Sequence, residues 1–219
     1  MKKEIFSLGQ YVVKYKTPQA LMDEFNKTFN NRKKLKLPHA NPMLVGKIKD
    51  EFTLYDSHQD SLHTRCNHLS PESYKWFMDV FKDYLDTFSP YKVGINLSFV
   101  WVNEMKSGEY NPVHYHSSKI SMMGLSSVMI LKLPKNRGKE YSPGTPGSPR
   151  TNGALELIGN NMGQFSKISM VPDLAVGDMY IFPYDLRHTV YPFNSPNEKR
   201  RTLAANADTL PIDIQSRLK

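Results

Sequence analysis

Cysteine is almost absent from this chain of 219 residues, where Cys66 stands alone. A single thiol excludes an internal disulfide framework and gives no sign of an oxidising compartment. Long apolar runs are missing too. None approaches the roughly 20 residues that a membrane helix needs. The start, Met1-Lys2-Lys3-Glu4-Ile5-Phe6, has the charge of a signal peptide, but Gly9, Gln10 and Lys14 interrupt the apolar stretch that should follow. The expectation is a soluble, cytoplasmic protein with no membrane partner.

What is present suits one globular unit. With 39% apolar and 11% aromatic residues the chain can bury a core without staples. The expectation is a single domain over 1–219, with a mainly helical supporting region at 1–92 and a β core at 93–208. The net charge of +8 would attract nucleic acid or an acidic substrate, but charge reports on association and not on fold. Its densest cluster is Arg32-Lys33-Lys34 with Lys36. It follows a helix-like segment and lacks the interleaved aromatics of a single-strand binding surface.

Residues 4–14 have β character and stop at Thr17-Pro18, which read as an N-cap and a first helical proline. Leu21, Phe25 and Phe29 then recur every four residues with Met22 beside them, so one helix face should pack on a sheet. Residues 36–68 lack sustained periodicity. His63, Cys66 and His68 invite a zinc reading, but no second ligand pair accompanies them. Ser70-Pro71-Glu72 opens a second helix carrying Tyr74, Phe77, Phe81, Tyr84, Leu85 and Phe88, which Ser89-Pro90 closes. From Val93 onward alternation takes over, in 96–102, 128–133, 154–158, 168–171, 179–182 and 202–205. Between them, 135–153 is a glycine-, proline- and serine-rich loop, either a lid or a passive surface. Helices first and many strands after indicate an α+β protein with its sheet closed or sandwiched.

Two chemical signals stand out in the β region. In Tyr110-Asn111-Pro112-Val113-His114-Tyr115-His116, the two histidines stand at i and i+2 on an extended chain, so both imidazoles can converge on one ion. Downstream, Gly177-Asp178-Met179-Tyr180-Ile181-Phe182-Pro183 leads into Tyr184, Asp185 and the lone His188; then come Arg200, Arg201 and Thr202. Alternation puts Arg200 and Thr202 on one face of their strand and Arg201 on the other.

This order of a His-x-His strand end, a Gly-Asp-x-x-x-Phe-Pro strand, a distal histidine and an Arg-x-Thr strand resembles a small subfamily of Fe(II)/2-oxoglutarate oxygenases related to prolyl hydroxylases. The likeness spans residues 93–208. It implies a double-stranded β-helix, the jelly-roll or cupin-like fold, with supporting N-terminal helices. It also implies metal ligation by His114, His116 and His188, with Arg200 binding the distal carboxylate of 2-oxoglutarate and Thr202 hydrogen-bonded to it. Fe(II), 2-oxoglutarate and O2 would then drive hydroxylation with release of succinate and CO2, and ascorbate would stimulate turnover. Tyr110, Tyr115 and Tyr184 are expected near substrate.

One departure accompanies the resemblance. The facial triad for non-haem Fe(II) is two histidines and a carboxylate, yet His116 stands where the carboxylate is expected. Glu156 and Asp185 are the candidates to restore that charge. The substrate implied first is a prolyl residue in a peptide or protein. The basic balance keeps a nucleic-acid demethylase open, and the three-histidine set leaves a non-enzymatic, cupin-like metal-binding module as the rival of another class.

Overall fold

A computed structural model of the chain describes residues 2–57, 66–117, 122–140, 151–160 and 165–211. In chain order the elements are β1 (Lys3–Ser7), β2 (Tyr11–Lys16), α1 (Gln19–Asn30), β3 (Asp50–Asp56), α2 (Pro71–Phe88), β4 (Val93–Met105), β5 (Asn111–His114), β6 (Gly124–Lys132), β7 (Leu155–Ile158), β8 (Ser169–Met170), β9 (Asp178–Pro183), β10 (Arg187–Val190) and β11 (Arg200–Pro211). A larger sheet runs β1-β2-β9-β6-β11-β4-β3, and a smaller one runs β5-β10-β7-β8. All pairings are antiparallel. From β4 onward the chain crosses repeatedly between the two sheets, which makes this α+β protein a double-stranded β-helix.

Period-two alternation divides the larger sheet into two faces. Val102, Leu125, Met129, Met179, Ile181, Leu203 and Ala205 point to the helices, where they meet Phe25 and Phe29 of α1 and Phe77 and Phe81 of α2. Val128, Ile130, Tyr180 and Phe182 point the other way and pack on Leu155, Leu157 and Val190 of the smaller sheet and on Leu186 just before β10. The functional interior lies between the sheets, and the helices only stiffen its back wall. Arg201 shows the division from the helix side: it bonds Glu104 at 2.5 and 2.9 Å, reaches Asn26 at 2.7 Å and lies over the Phe29 ring.

Both helices follow the sequence signals, with one difference of capping. Ser70 caps α2 by accepting from the Ser73 amide at 3.1 Å. The first helix begins one residue later than its Thr17-Pro18 signal suggests: Pro18 holds the N-cap position and no side chain caps it. Thr17 instead spends its amide on the Gly177 carbonyl at 2.8 Å, tying the helix entry to the β8–β9 loop. Among the described residues before 93 there are three strands as well as two α-helices and a 3-10 turn (Asn41–Met43), and all three strands extend the larger sheet. Arg32 of the basic cluster stacks on Phe29 and Phe52 on the helix side, away from the space between the sheets. His63 and most of the 135–153 loop lie outside the described residues; Cys66 is buried, donating to the Thr53 carbonyl at 3.4 Å.

Phe77 is fully buried among Phe25, Trp76 and Phe81. Phe77→Ala should cost about 3–5 kcal/mol by opening a cavity behind the larger sheet. Urea unfolding measures it.

Candidate metal centre and its guanidinium

Two short strands set the site. In the β5–β10 ladder His188 stands directly opposite His114, and a register shift separates that pair from the next, Val190 with Asn111. Such an irregularity re-aims side chains at the end of a ladder. His116 follows β5 in a segment held by its amide, which donates to the Tyr184 carbonyl at 2.8 Å. One ligand atom from each of the three imidazoles lies within 4.8 Å of the others, and this is the one such cluster among the described residues.

The hydrogen bonds fix which nitrogens face inward. His114 Nδ1 lies 2.7 Å from the Pro112 carbonyl and His188 Nδ1 lies 3.1 Å from the Leu186 carbonyl. A carbonyl only accepts, so both Nδ1 atoms carry the proton and both Nε2 lone pairs are free. His116 Nε2 faces His188 Nε2 at 3.2 Å, while its Nδ1 meets the Asn206 amide at 3.4 Å. Ser126 Oγ anchors Asn206 Oδ1 at 2.8 Å. An amide offers a donor at one end and an acceptor at the other, so this pair can serve either tautomer of His116.

Burial keeps the rings neutral. His188 is lowered to about 3, first by desolvation and then by the charge of His114, against the rise its Leu186 bond contributes. His116 is held well below the ordinary histidine value by burial, then by His188 and His114, and burial also lowers His114. Neutral imidazoles are what a divalent transition metal binds, so the donor set fits one.

Arg200 extends the site along β11. It is among the largest fully buried side chains, and its Nε and one terminal nitrogen have no partner. The other terminal nitrogen lies 3.8 Å from the Met105 sulfur, its only hydrogen-bond contact among the described residues. Burial, then the charge of Arg137, lowers its pKa to about 10, which leaves it cationic at neutral pH. A buried, unpaired guanidinium is costly unless an anion joins it, and its fork suits a carboxylate. Thr202 is buried on the same interior face.

The remaining sequence candidates divide. Tyr115 lines a cavity of about 180 Å³ together with His114 and His116. Tyr110 is partly exposed and bridges to Lys47. Tyr184 is buried, its hydroxyl donating to Asp208 at 2.9 Å, so it supports the His116 segment instead of facing the cavity. Neither carboxylate candidate joins the imidazoles. Glu156 is on the outward face of β7, where it accepts from the Tyr191 hydroxyl at 2.5 Å, because Leu155 and Leu157 take the inward positions. Asp185 is exposed in the turn between β9 and β10. Asn206 escaped the sequence reading although it continues the same alternation from Arg200 and Thr202. Glu51 and Trp101, which also line the cavity, gave no local signal.

The site's acid response follows from His188. In an unfolded chain it protonates near the ordinary value of about 6.5, but in the fold only near 3. Between these values the unfolded chain binds more protons, so stability of the metal-free protein should fall as pH drops through that window. His188→Leu should flatten the fall, read as urea midpoints above and below pH ~6.

Comparison with known proteins adds to the geometry. The family described as "Putative 2OG-Fe(II) oxygenase" matches residues 99–206, which holds all three histidines, Arg200 and Thr202. A prolyl-4-hydroxylase from Pseudomonas putida superposes with a TM-score of 0.53 at 14% identity, covering 90% of this chain and 91% of its own. The viral collagen prolyl hydroxylase of Paramecium Bursaria Chlorella virus-1, solved as a 2OG complex, gives 0.52 at 14%, covering 91% and 96%. A Trichoplax adhaerens prolyl hydroxylase, solved with a hypoxia inducible factor peptide fragment, gives 0.52 at 13%, covering 92% and 84%. At these identities the likeness shows the fold alone. No curated protein matches.

Proposed function

We propose that the chain is a 2OG-Fe(II) oxygenase, on the strength of the family match over residues 99–206, and that it hydroxylates an unactivated C–H bond of a peptide or protein, a prolyl residue being the first class to test. In this reading His114, His116 and His188 hold Fe(II), while Arg200, with Thr202 beside it, receives the distal carboxylate of 2-oxoglutarate. The bound metal, 2-oxoglutarate and O2 would supply the oxidising chemistry, with succinate and CO2 as co-products. The protein's own work is to fix the three rings, seat the dicarboxylate and keep water from the reacting centre.

The observation that carries the proposal is the pair of free nitrogens on buried Arg200, set between the same two sheets as the histidine cluster. His114 and His188 are fixed by backbone carbonyls, so they are oriented before any ligand arrives. Leu155, Leu157, Phe182 and Val190 line the dry wall beside them. The prolyl assignment draws support from the substrates named for the structural relatives.

The three-imidazole set favours a second reading on one point. Without a carboxylate, the same donors suit Zn, Ni or Cu, and a metal-binding module needs no oxidative turnover. Succinate formation from 2-oxoglutarate with Fe(II), ascorbate and O2 separates the two. Turnover, with or without a peptide substrate, supports the oxygenase; bound metal without succinate under any substrate supports the module. Arg200→Ala should retain metal but weaken 2-oxoglutarate binding by roughly 10²- to 4 × 10³-fold, the loss expected when about 3–5 kcal/mol of a buried charge pair is removed. Calorimetry with metal analysis of the same sample reads both quantities.

A further inference from the structure

The cavity that opens on His114 and His116 carries a second set of unpartnered polar atoms. Glu51 on β3 lines it and is only 1% exposed; its Oε1 has no hydrogen-bond partner. Oε2 accepts from the Asn41 amide at 2.8 Å, which fixes the carboxylate while leaving the other oxygen free. Directly across the β3–β4 ladder from Glu51 stands Asn103, and its buried Oδ1 is likewise without a partner. Trp101, two residues along the same face and also lining the cavity, completes the wall against the His116 ring at 6.1 Å between centroids.

Neither Glu51 Oε1 nor Asn103 Oδ1 is bonded to Arg200. Glu51 and Arg200 stand on β3 and β11 with β4 between them. Two ladders separate their backbones by on the order of 10 Å. A dicarboxylate held by Arg200 therefore leaves Glu51 to whatever enters the cavity, which Met43, Leu44 and Val45 also line. Two adjacent buried acceptors, one of them a carboxylate, match a group that donates more than one hydrogen bond and carries positive charge. The Trp101 indole N–H, also buried without a partner, adds one donor to the wall, so a hydroxyl could meet it and one acceptor but would leave the other acceptor and the carboxylate's charge unmatched.

Resting on the oxygenase reading for its reaction but not for its chemistry of recognition, we infer that Glu51 selects a substrate bearing a protonated amine or guanidinium close to the carbon that is oxidised. Within a peptide this is a lysine or arginine side chain, or a free amino terminus such as that of an amino-terminal proline, placed in the cavity beside His114 and His116; an internal prolyl residue alone does not supply it. The environment of Glu51 agrees. Burial first, and then the charge of Glu109, raises its pKa to about 7; among the described residues no cation stabilises the carboxylate, and an entering one would do so.

Trp101 reports on the cavity directly. Trp76 is the other tryptophan of the chain and lies on α2, so Trp76→Phe leaves Trp101 as the single indole. In that protein n-butylammonium and n-butylguanidinium should perturb the emission saturably, while n-butanol and butyrate should not. Glu51→Gln, which keeps the shape and removes the charge, should weaken the ammonium response at least ten-fold and leave 2-oxoglutarate binding intact. A response to n-butanol equal to that of the cation, an undiminished response in Glu51→Gln, or no saturable response would overturn the inference. The comparison among ligands decides the matter in the Glu51-containing protein even if the variant does not fold. Loss of 2-oxoglutarate binding and turnover together with a retained Glu51-dependent response would overturn the oxygenase reading alone.

Discussion

The site depends on one cross-strand pair. His114 and His188 face each other in the β5–β10 ladder, and neither strand is long enough to hold that position alone. The pair is held because β10 also zips to β7 on its other edge, where Leu155 and Leu157 turn inward against Phe182 and Ile130 of the larger sheet. Apolar packing between the sheets thus sets the distance between two imidazoles, and the Tyr184 carbonyl then places His116 beside them. Helix packing on the far face secures the larger sheet without touching the chemistry.

Electrostatics gives the same arrangement its purpose. Three rings held neutral by burial stand in one interior with a cationic guanidinium that lacks an anion. No carboxylate joins the described cluster, since Glu156 turns outward to Tyr191 and Asp185 faces solvent. A divalent metal on neutral ligands, next to Arg200, accumulates positive charge that a dicarboxylate is suited to offset. The local acid in the cavity is Glu51, and it stands on the side away from Arg200.

Much of this was legible in the sequence because alternation along a strand is a strict rule. It placed Arg200 inward and Arg201 outward, and the structure gives Arg201 to Glu104 and leaves Arg200 in the interior. The i, i+2 spacing of His114 and His116 and the lone His188 pointed to convergence, which required only that β5 and β10 pair. What escaped is what pairing alone decides. Glu51 reaches the cavity through its register with Asn103, a contact between residues far apart in the chain. Glu156 failed as a ligand because Leu155 and Leu157 are the inward residues of a strand too short for its phase to be read. Thr17 failed as a cap because the helix starts one residue later, with Pro18 at the N-cap, and the Thr17 hydroxyl is left buried without a partner.

The central claim is that the imidazole cluster and the Arg200 guanidinium form one site, in which metal and dicarboxylate each improve the binding of the other. Anaerobic calorimetric titration of 2-oxoglutarate into the protein, first without metal and then with one equivalent of Fe(II), tests it most directly. Binding at least ten-fold tighter with metal present is the predicted result. An affinity for 2-oxoglutarate indifferent to the metal would contradict the account.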